Sequence, residues 1–286
     1  MFTAAFRALG VPHTYSPVDV AKPEVLGRAV NFVRNGIYEG ANVTLPYKQK
    51  VLEHVDGIDA SAERVGAANV LVREARGVVA YNTDATALAE EIAAATPGRT
   101  RAAIVGAGGA ALAALAACKS LGFSVVGVTT RSWTDTESML ESPSASRVRA
   151  AGGMASVWPR YDTQPPTTRM SMAMRMQWTE LCMLAEVVIQ ATSAGMVGAD
   201  PGDEIAAMVP FQLMPKRTVA LDLVYRPEQT PFLARAHAHG LVAVGGLGML
   251  VRQAEASFRL WTKEAPPAGV MREAAERVLA ITSTPL

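Results

Sequence analysis

Two stretches of the chain carry residue types that could do chemistry. The first is GAGGAA at 106–111, which follows the apolar run Ala102–Val105 and opens an alanine-rich stretch to about Leu121. A glycine turn between a buried strand and a helix aims backbone N–H groups along the helix N-terminus. That geometry suits a pyrophosphate, with Gly106, Gly108, Gly109 and Ala110 as the cradle. Glycine turns also occur for packing alone, so the next strand matters. An NAD site usually places Asp or Glu about twenty residues further on, to hold the ribose 2′-hydroxyl. Here that strand ends Thr129-Thr130-Arg131-Ser132, with no acid. Arg131 instead offers a guanidinium to a 2′-phosphate, unless it is simply a solvated arginine, and its position favours NADP over NAD.

The second stretch is GANVTLPYK at 40–48, a short β-branched run cut by a proline, with Lys48 two residues later. Taken alone, Lys48 reads as a solvated charge at a strand end. Further on, Asp84 of YNTDA reads as the N-cap of a helix over Ala85–Ala95, with Leu88 and Ile92 on one face. Other reactive types lead nowhere. His237 and His239 are an i,i+2 pair on a helix and do not face each other, so no metal is expected. Cys118 and Cys182 lie far apart and near no histidine pair, which fits a reducing cytosol better than a disulfide or zinc. The Asn42-Val43-Thr44 triplet matches a glycosylation pattern that means nothing without secretion.

These residues need a scaffold. The chain has 286 residues, half of them hydrophobic and 19% charged, with a net charge of +1. It can bury a sizeable core, in one large or two medium domains, and the balanced charge argues against a nucleic-acid or membrane-surface partner. No signal peptide is expected, since Arg7 falls in the first turn and no long apolar run follows. Ala102–Cys118 is uncharged, yet it reads as the strand, turn and helix of a βαβ unit rather than a membrane span. Val43–Leu45 and Ala68–Val72 read as strands, with a helix over Lys48–Val65 between them. Thr96-Pro97-Gly98 ends the helix begun at Asp84. Ser124–Thr130, Glu186–Ala191, Thr218–Val224 and Leu241–Val244 read as parallel-sheet strands. Met249–Trp261 reads as a strong helix with Met249, Leu250, Ala254, Phe258 and Trp261 on its apolar side. Residues 132–180 carry ESPSAS and QPPTTRMSMAMRM and read as a helix, a strand and a long loop in no fixed order. Their methionines suit adaptable packing rather than a metal box.

GANVTLPYK, GAANV at 66–70, YNTDA, GAGGAA, ATSAGM at 191–196, DLVYRP at 222–227 and GGLGMLVRQA at 245–254 occur in this order. Together they resemble the shikimate/quinate dehydrogenase family over nearly the whole chain, apart from about 132–180. The resemblance implies an α/β fold, with a split α/β substrate domain around an NADP-binding Rossmann domain. It implies a substrate domain at 1–83, to which 245–286 returns, and a dinucleotide domain at 84–244. It implies NADP-dependent oxidation of a secondary alcohol of shikimate, quinate or a relative such as an amino analogue. Lys48 would be the acid/base and Asp84 its partner. Thr44, Asn69 and Gln253 would bind substrate hydroxyls, and Tyr225 would lie near the carboxylate. Thr192, Met196, Gly246 and Met249 would line the nicotinamide side. The partner is then a small cyclic hydroxy acid in a cytoplasmic monomer or homodimer.

The chain departs from the family pattern at Val70, Thr130 and Ala85, where Thr, Asn and Gly are usual. Family members also open with a strand and a loop carrying two serines for the substrate carboxylate, and MFTAAFRALG resembles the helix after that loop. The expectation is therefore that Met1 is an internal methionine. As given, the chain would bind NADP, act poorly on shikimate and tend to aggregate along an open sheet edge. The competing reading is a non-catalytic relative that senses a ligand or a partner. Retention of both Lys48 and Asp84 favours the enzyme.

Overall fold

The computed structural model describes residues 1–159 and 169–283. They divide into two compact units. One joins Met1–Ala87 to the chain from Gly248, and the other is Leu88–Leu247.

The first unit begins with α1 (Phe2–Leu9), closed by left-handed Gly10, and α2 (Leu26–Arg34). Its four-stranded sheet contains β1 (Gly40–Asn42), β2 (Gly57–Ile58), β3 (Val70–Glu74) and β4 (Gly77–Tyr81), in the order β1-β3-β4-β2. β1 and β4 run antiparallel to β3, and β2 runs parallel to β4. Leu26, Val30 and Val33 of α2 pack with Val51, Ala62, Leu71, Val78 and Ala80 in one core. The helix expected over Lys48–Val65 is interrupted. It is a 3-10 turn at Lys50–Glu53, then β2, then α3 (Ala60–Val65). Asp56 explains the break: its N–H donates to Val78 O, and its carboxylate accepts from Val78 N–H and the Arg34 guanidinium. The sheet edge thus takes this segment as a strand. The strand expected at Val43–Leu45 falls earlier, at β1. Val43 N–H makes the last bond to the neighbouring strand, on Asn69 O, and the chain then turns through Tyr47 N–H to Thr44 O.

From the first unit α4 (Asp84–Ala95) leads into the second. There the chain runs β5 (Arg101–Val105), α5 (Gly109–Ser120), β6 (Val125–Thr129), α6 (Thr136–Glu141), α7 (Pro143–Ala150) and β7 (Met154–Ala155). It continues through α8 (Arg169–Met183), β8 (Val187–Gln190), α9 (Asp203–Ala207), β9 (Val219–Asp222), α10 (Pro231–Ala238) and β10 (Val242–Val244). The six strands are all parallel, in the order β10-β9-β8-β5-β6-β7. Strand order reverses between β5 and β8, the position where open parallel sheets place a ligand. β8 and β9 are buried end to end and β5 from Ala102 onward, as their largely apolar runs require of a sheet covered on both faces. The region expected as one helix, a strand and a loop holds α6, α7, β7 and the start of α8. Residues QPPTT and the side chains of Met170, Met172 and Met174 lie outside the described residues.

The chain returns to the first unit with α11 (Leu247–Thr262), and the last described element is α12 (Val270–Ser283). The buried face of α11 is Val251, Ala254, Ser257 and Phe258, so Val251 and Ser257 replace the expected Met249, Leu250 and Trp261. Trp261 is half-buried but specific: its Nε1 donates to Leu71 O at 3.0 Å, and its ring meets Phe2. A side chain at Gly40 would collide with that indole.

Candidate active site

In the second unit, β5 ends in the turn Gly106–Gly108 and α5 begins at Gly109. Gly106 has φ 120°, and an added Cβ would lie 2.8 Å from Ala191 O, so only glycine fits. Gly108 is the N-cap of α5, and a Cβ there would meet nothing within 4 Å: the space above the turn is open. The first intrahelical bond runs from Leu112 N–H to Gly108 O, which leaves the N–H groups of Gly109, Ala110 and Ala111 for a ligand. This arrangement fits a pyrophosphate. Arg131, two residues past β6, holds Asp200 at 2.6 Å and Glu204 at 3.4 Å.

Three loops meet at the C-terminal ends of β8, β9 and β10. Gln190 organises the first, accepting Thr192 N–H at 2.5 Å and donating to Ala194 O at 2.8 Å. Val197 N–H then reaches Arg226 O, and Gly246 N–H reaches Val224 O. A Cβ on Gly246 would lie 2.5 Å from Leu223 O. Asp222 anchors the group from below. It accepts from Thr230 Oγ1 at 2.6 Å, Val224 N–H at 2.9 Å and Gln190 Nε2 at 3.3 Å. Burial pushes its carboxyl up to about 6, and the hydrogen bonds from Thr230 and Val224 oppose this only in part. Thr192, Met196, Tyr225 and Gly246 therefore share one end of the sheet, with Met196 and Tyr225 exposed. Met249 belongs to the other unit, on α11.

In the first unit Lys48 Nζ lies 2.8 Å from Asp84 Oδ2, with side chains only 18% and 6% exposed. The Lys48 backbone is pinned, because its carbonyl accepts Ala68 N–H at 2.7 Å. Asp84 Oδ1 accepts from Asn69 Nδ2 at 2.9 Å. Asn69 also donates to Thr83 Oγ1 at 2.8 Å, and its Oδ1 accepts Thr83 N–H at 2.8 Å. Gln253 Oε1 is 3.4 Å from the same Nδ2. Lys48, Asn69, Asp84 and Gln253, far apart in sequence, thus form one cluster. Thr44 lies exposed in the turn after β1.

Asp84 is not the helix cap. Asn82, two residues before the first helical residue, satisfies the first turn instead: its Oδ1 accepts Ala85 N–H at 3.1 Å while its Nδ2 donates to Ala67 O at 2.8 Å. That frees both Asp84 oxygens for Lys48 and Asn69. Sequence reasoning also missed Asn42, Thr83 and Ser257, which support the cluster. Asn42 Nδ2 donates to Ser257 Oγ and Asn69 O, each at 3.2 Å, and its Oδ1 accepts from Tyr15. Ser257 follows Gln253 by four residues, so helical spacing was the signal that could have found it. The two cysteines are buried and burial raises both thiols, Cys118 to about 12, which leaves neither as a nucleophile near neutral pH.

Residues 1–71 match the family described as shikimate dehydrogenase substrate binding domain. Residues 246–276 match shikimate 5′-dehydrogenase C-terminal domain. A protein of Citrifermentans bemidjiense named shikimate dehydrogenase (NADP(+)) is 34% identical over 96% of this chain and 88% of its own. One of the same name from Methanothermobacter thermautotrophicus is 32% identical over 98% of this chain and 91% of its own. Among solved structures, shikimate 5-dehydrogenase from Thermus thermophilus in complex with NADP(H) and shikimate matches with TM-score 0.74 and 30% identity, covering 97% and 93% of the two chains. A 5-ketofructose reductase of Gluconobacter matches with the same TM-score at 28% identity, covering 96% and 91%.

Proposed function

The chain belongs to the shikimate dehydrogenase family, and on that footing we propose that it catalyses the NADP-dependent, reversible oxidation of shikimate to 3-dehydroshikimate, or of a close relative such as quinate. The observation that carries the chemistry is the Lys48–Asp84 pair, nearly enclosed and tied to Asn69. Oxidising a secondary alcohol removes a hydroxyl proton and a hydride from carbon. NADP, when bound, supplies the hydride acceptor. Lys48 Nζ takes the hydroxyl proton and returns it to the carbonyl oxygen in reduction. Asp84 accepts from Nζ and so holds it in place beside the reacting hydroxyl, and Asn69 fixes the Asp84 carboxylate. Thr44 and Gln253 serve the other ring hydroxyls, and Tyr225 the carboxylate.

In this reading the second unit is the dinucleotide domain. Gly106, Gly108, Gly109 and Ala110 receive the pyrophosphate and Arg131 the 2′-phosphate. Thr192, Met196, Gly246 and Met249 form the nicotinamide side. The first unit is the substrate domain. No helix among the described residues is long and apolar enough to cross a membrane. We place the enzyme in the cytoplasm, as a monomer or homodimer. The retained Lys48–Asp84 pair and the names of the relatives support an enzyme over a non-catalytic relative.

The test is absorbance at the reduced-nicotinamide band with purified protein, NADP or NAD, and shikimate, quinate or an amino analogue. NADP reduction with shikimate or quinate is expected, with much weaker turnover on NAD. 5-Ketofructose with NADPH belongs in the panel, given the likeness to a reductase of that name. No turnover with any pair would restore the non-catalytic reading.

A further inference from the structure

The residues that hold Arg131 bear on cofactor choice. In the order β8-β5-β6, the strand between the other two carries the glycine turn. Arg131 follows β6, and Asp200 lies in the loop after β8. Neighbouring strands are about 4.8 Å apart, so the Arg131–Asp200 contact joins loops whose strands lie roughly 10 Å apart, one on each side of that turn. Asp200 is not a loose surface group. Its carbonyl accepts Gly195 N–H at 2.7 Å, and its Oδ1 accepts Gly202 N–H at 2.9 Å. Both glycines are left-handed, at φ 86° and 93°, so the loop is folded around this residue. Oδ2 is left to meet Arg131 Nη1, and Glu204, in the first turn of α9, is the second carboxylate on the same nitrogen.

We propose that Asp200 and Glu204 are specificity-determining residues: a built-in acidic competitor that holds the Arg131 guanidinium and lowers the affinity for a 2′-phosphorylated dinucleotide, leaving affinity for the unphosphorylated one nearly untouched. The inference rests on the reading of Arg131 as the 2′-phosphate ligand. A 2′-phosphate carries about −1.5 to −2 charges. To take the guanidinium it must displace two carboxylates or sit beside them, and both weaken its binding. NAD has no such group and does not contest the pair. The acids therefore narrow the margin between NADP and NAD. At 42%, 37% and 58% side-chain exposure the pairs are solvent-screened, which keeps the competitor weak enough to be displaced.

The experiment measures dissociation constants of NADP, NAD, adenosine 2′,5′-bisphosphate and AMP for the full chain, for Asp200→Asn, Glu204→Gln and the double variant, and for Arg131→Ala. At low salt the double variant should bind NADP and the bisphosphate about three- to tenfold more tightly, the scale of two exposed ion pairs plus relief of like-charge repulsion. NAD and AMP should change by less than about twofold, and Asp200→Asn should account for more of the gain than Glu204→Gln, since it makes the shorter contact. Melting temperatures close to the parent's confirm that the variants fold, and Glu204→Gln alone remains informative should the loop variant fail. Unchanged NADP affinity in the folded variants, or an equal gain for NAD, overturns the inference. Arg131→Ala separates the two readings. If it leaves NADP affinity intact, the assignment of Arg131 to the 2′-phosphate falls. If it weakens NADP while the acidic variants change nothing, only the competitor falls.

Discussion

Lys48–Asp84 and Arg131–Asp200 are ion pairs of nearly equal length, 2.8 Å and 2.6 Å, and differ mainly in surroundings. The first is nearly enclosed and wired to Thr83 and Gln253 through the Asn69 side-chain amide, which donates to Asp84, Thr83 and Gln253 and accepts Thr83 N–H. The second is partly exposed to solvent, with its side chains 42% and 37% exposed. Distance alone does not say what a charge pair is for. An enclosed pair keeps one geometry, so it can position a proton. An exposed pair exchanges its partners easily, so it can hand a guanidinium to an arriving phosphate.

The largest effect should come from breaking the enclosed pair. Lys48→Ala should lower kcat by about two to four orders of magnitude, the scale of losing a positioned acid/base, with KM for substrate moving much less. Stopped-flow or steady-state absorbance decides it. A variant that keeps most of its kcat would make Lys48 a bystander. Asp84→Asn should also lower kcat, but with little loss of the helix start, because Asn82 satisfies the first turn.

Asp222 sharpens the comparison from another side, as a buried carboxylate with no cation against it among the described residues. Its folded pKa of about 6 lies above the ordinary 3.8. Between those values the native state binds the proton more tightly than the unfolded chain. The contribution of this group is therefore most favourable below about pH 4 and is lost as pH rises through about 6, on the order of 2–3 kcal/mol in all. Asp222→Asn should flatten the pH dependence of unfolding free energy across that window, measured by urea titration at several pH values. An unchanged slope would show that the carboxyl is not displaced.

Much of this was legible in the sequence. The glycine turn, the parallel strands and α11 follow from local pattern, since buried β-branched runs and helical spacing leave few alternatives. What escaped was set by partners elsewhere in the chain. Nothing near Asp56 announces β2; the segment is a strand because the β4 edge accepts it. Asp84 reads as a cap by position, and only the fold shows that Asn82 satisfies the first turn instead. Lys48 alone is one of six lysines, and only its motif marked it out. The pairing of Arg131 with Asp200 depends on how the loop 193–202 folds, which local pattern does not disclose.

Arg131→Ala should raise the apparent KM for NADP about ten- to a hundredfold, the cost of losing a charge-assisted bond to phosphate, and should leave that for NAD nearly unchanged. A parallel rise for NAD would show that Arg131 supports the fold of the turn rather than the phosphate.

The smallest effect tests the contrast itself. Raising ionic strength from about 0.05 to about 0.5 M shortens the screening length from about 14 to about 4 Å. The Arg131 contacts to Asp200 and Glu204 are exposed, and the proposed one to the 2′-phosphate would be made to a diffusible anion, so all fall in the range that salt reaches. NADP should bind a few-fold more weakly at high salt, while NAD shifts less. The Lys48–Asp84 pair is held by fixed neighbours with little solvent between the charges, so kcat at saturating NADP and shikimate should stay within about twofold. The opposite pattern, a salt-sensitive kcat with salt-insensitive NADP binding, would mean that enclosure of Lys48 is incomplete when substrate is present and that the two pairs do not divide the work by exposure.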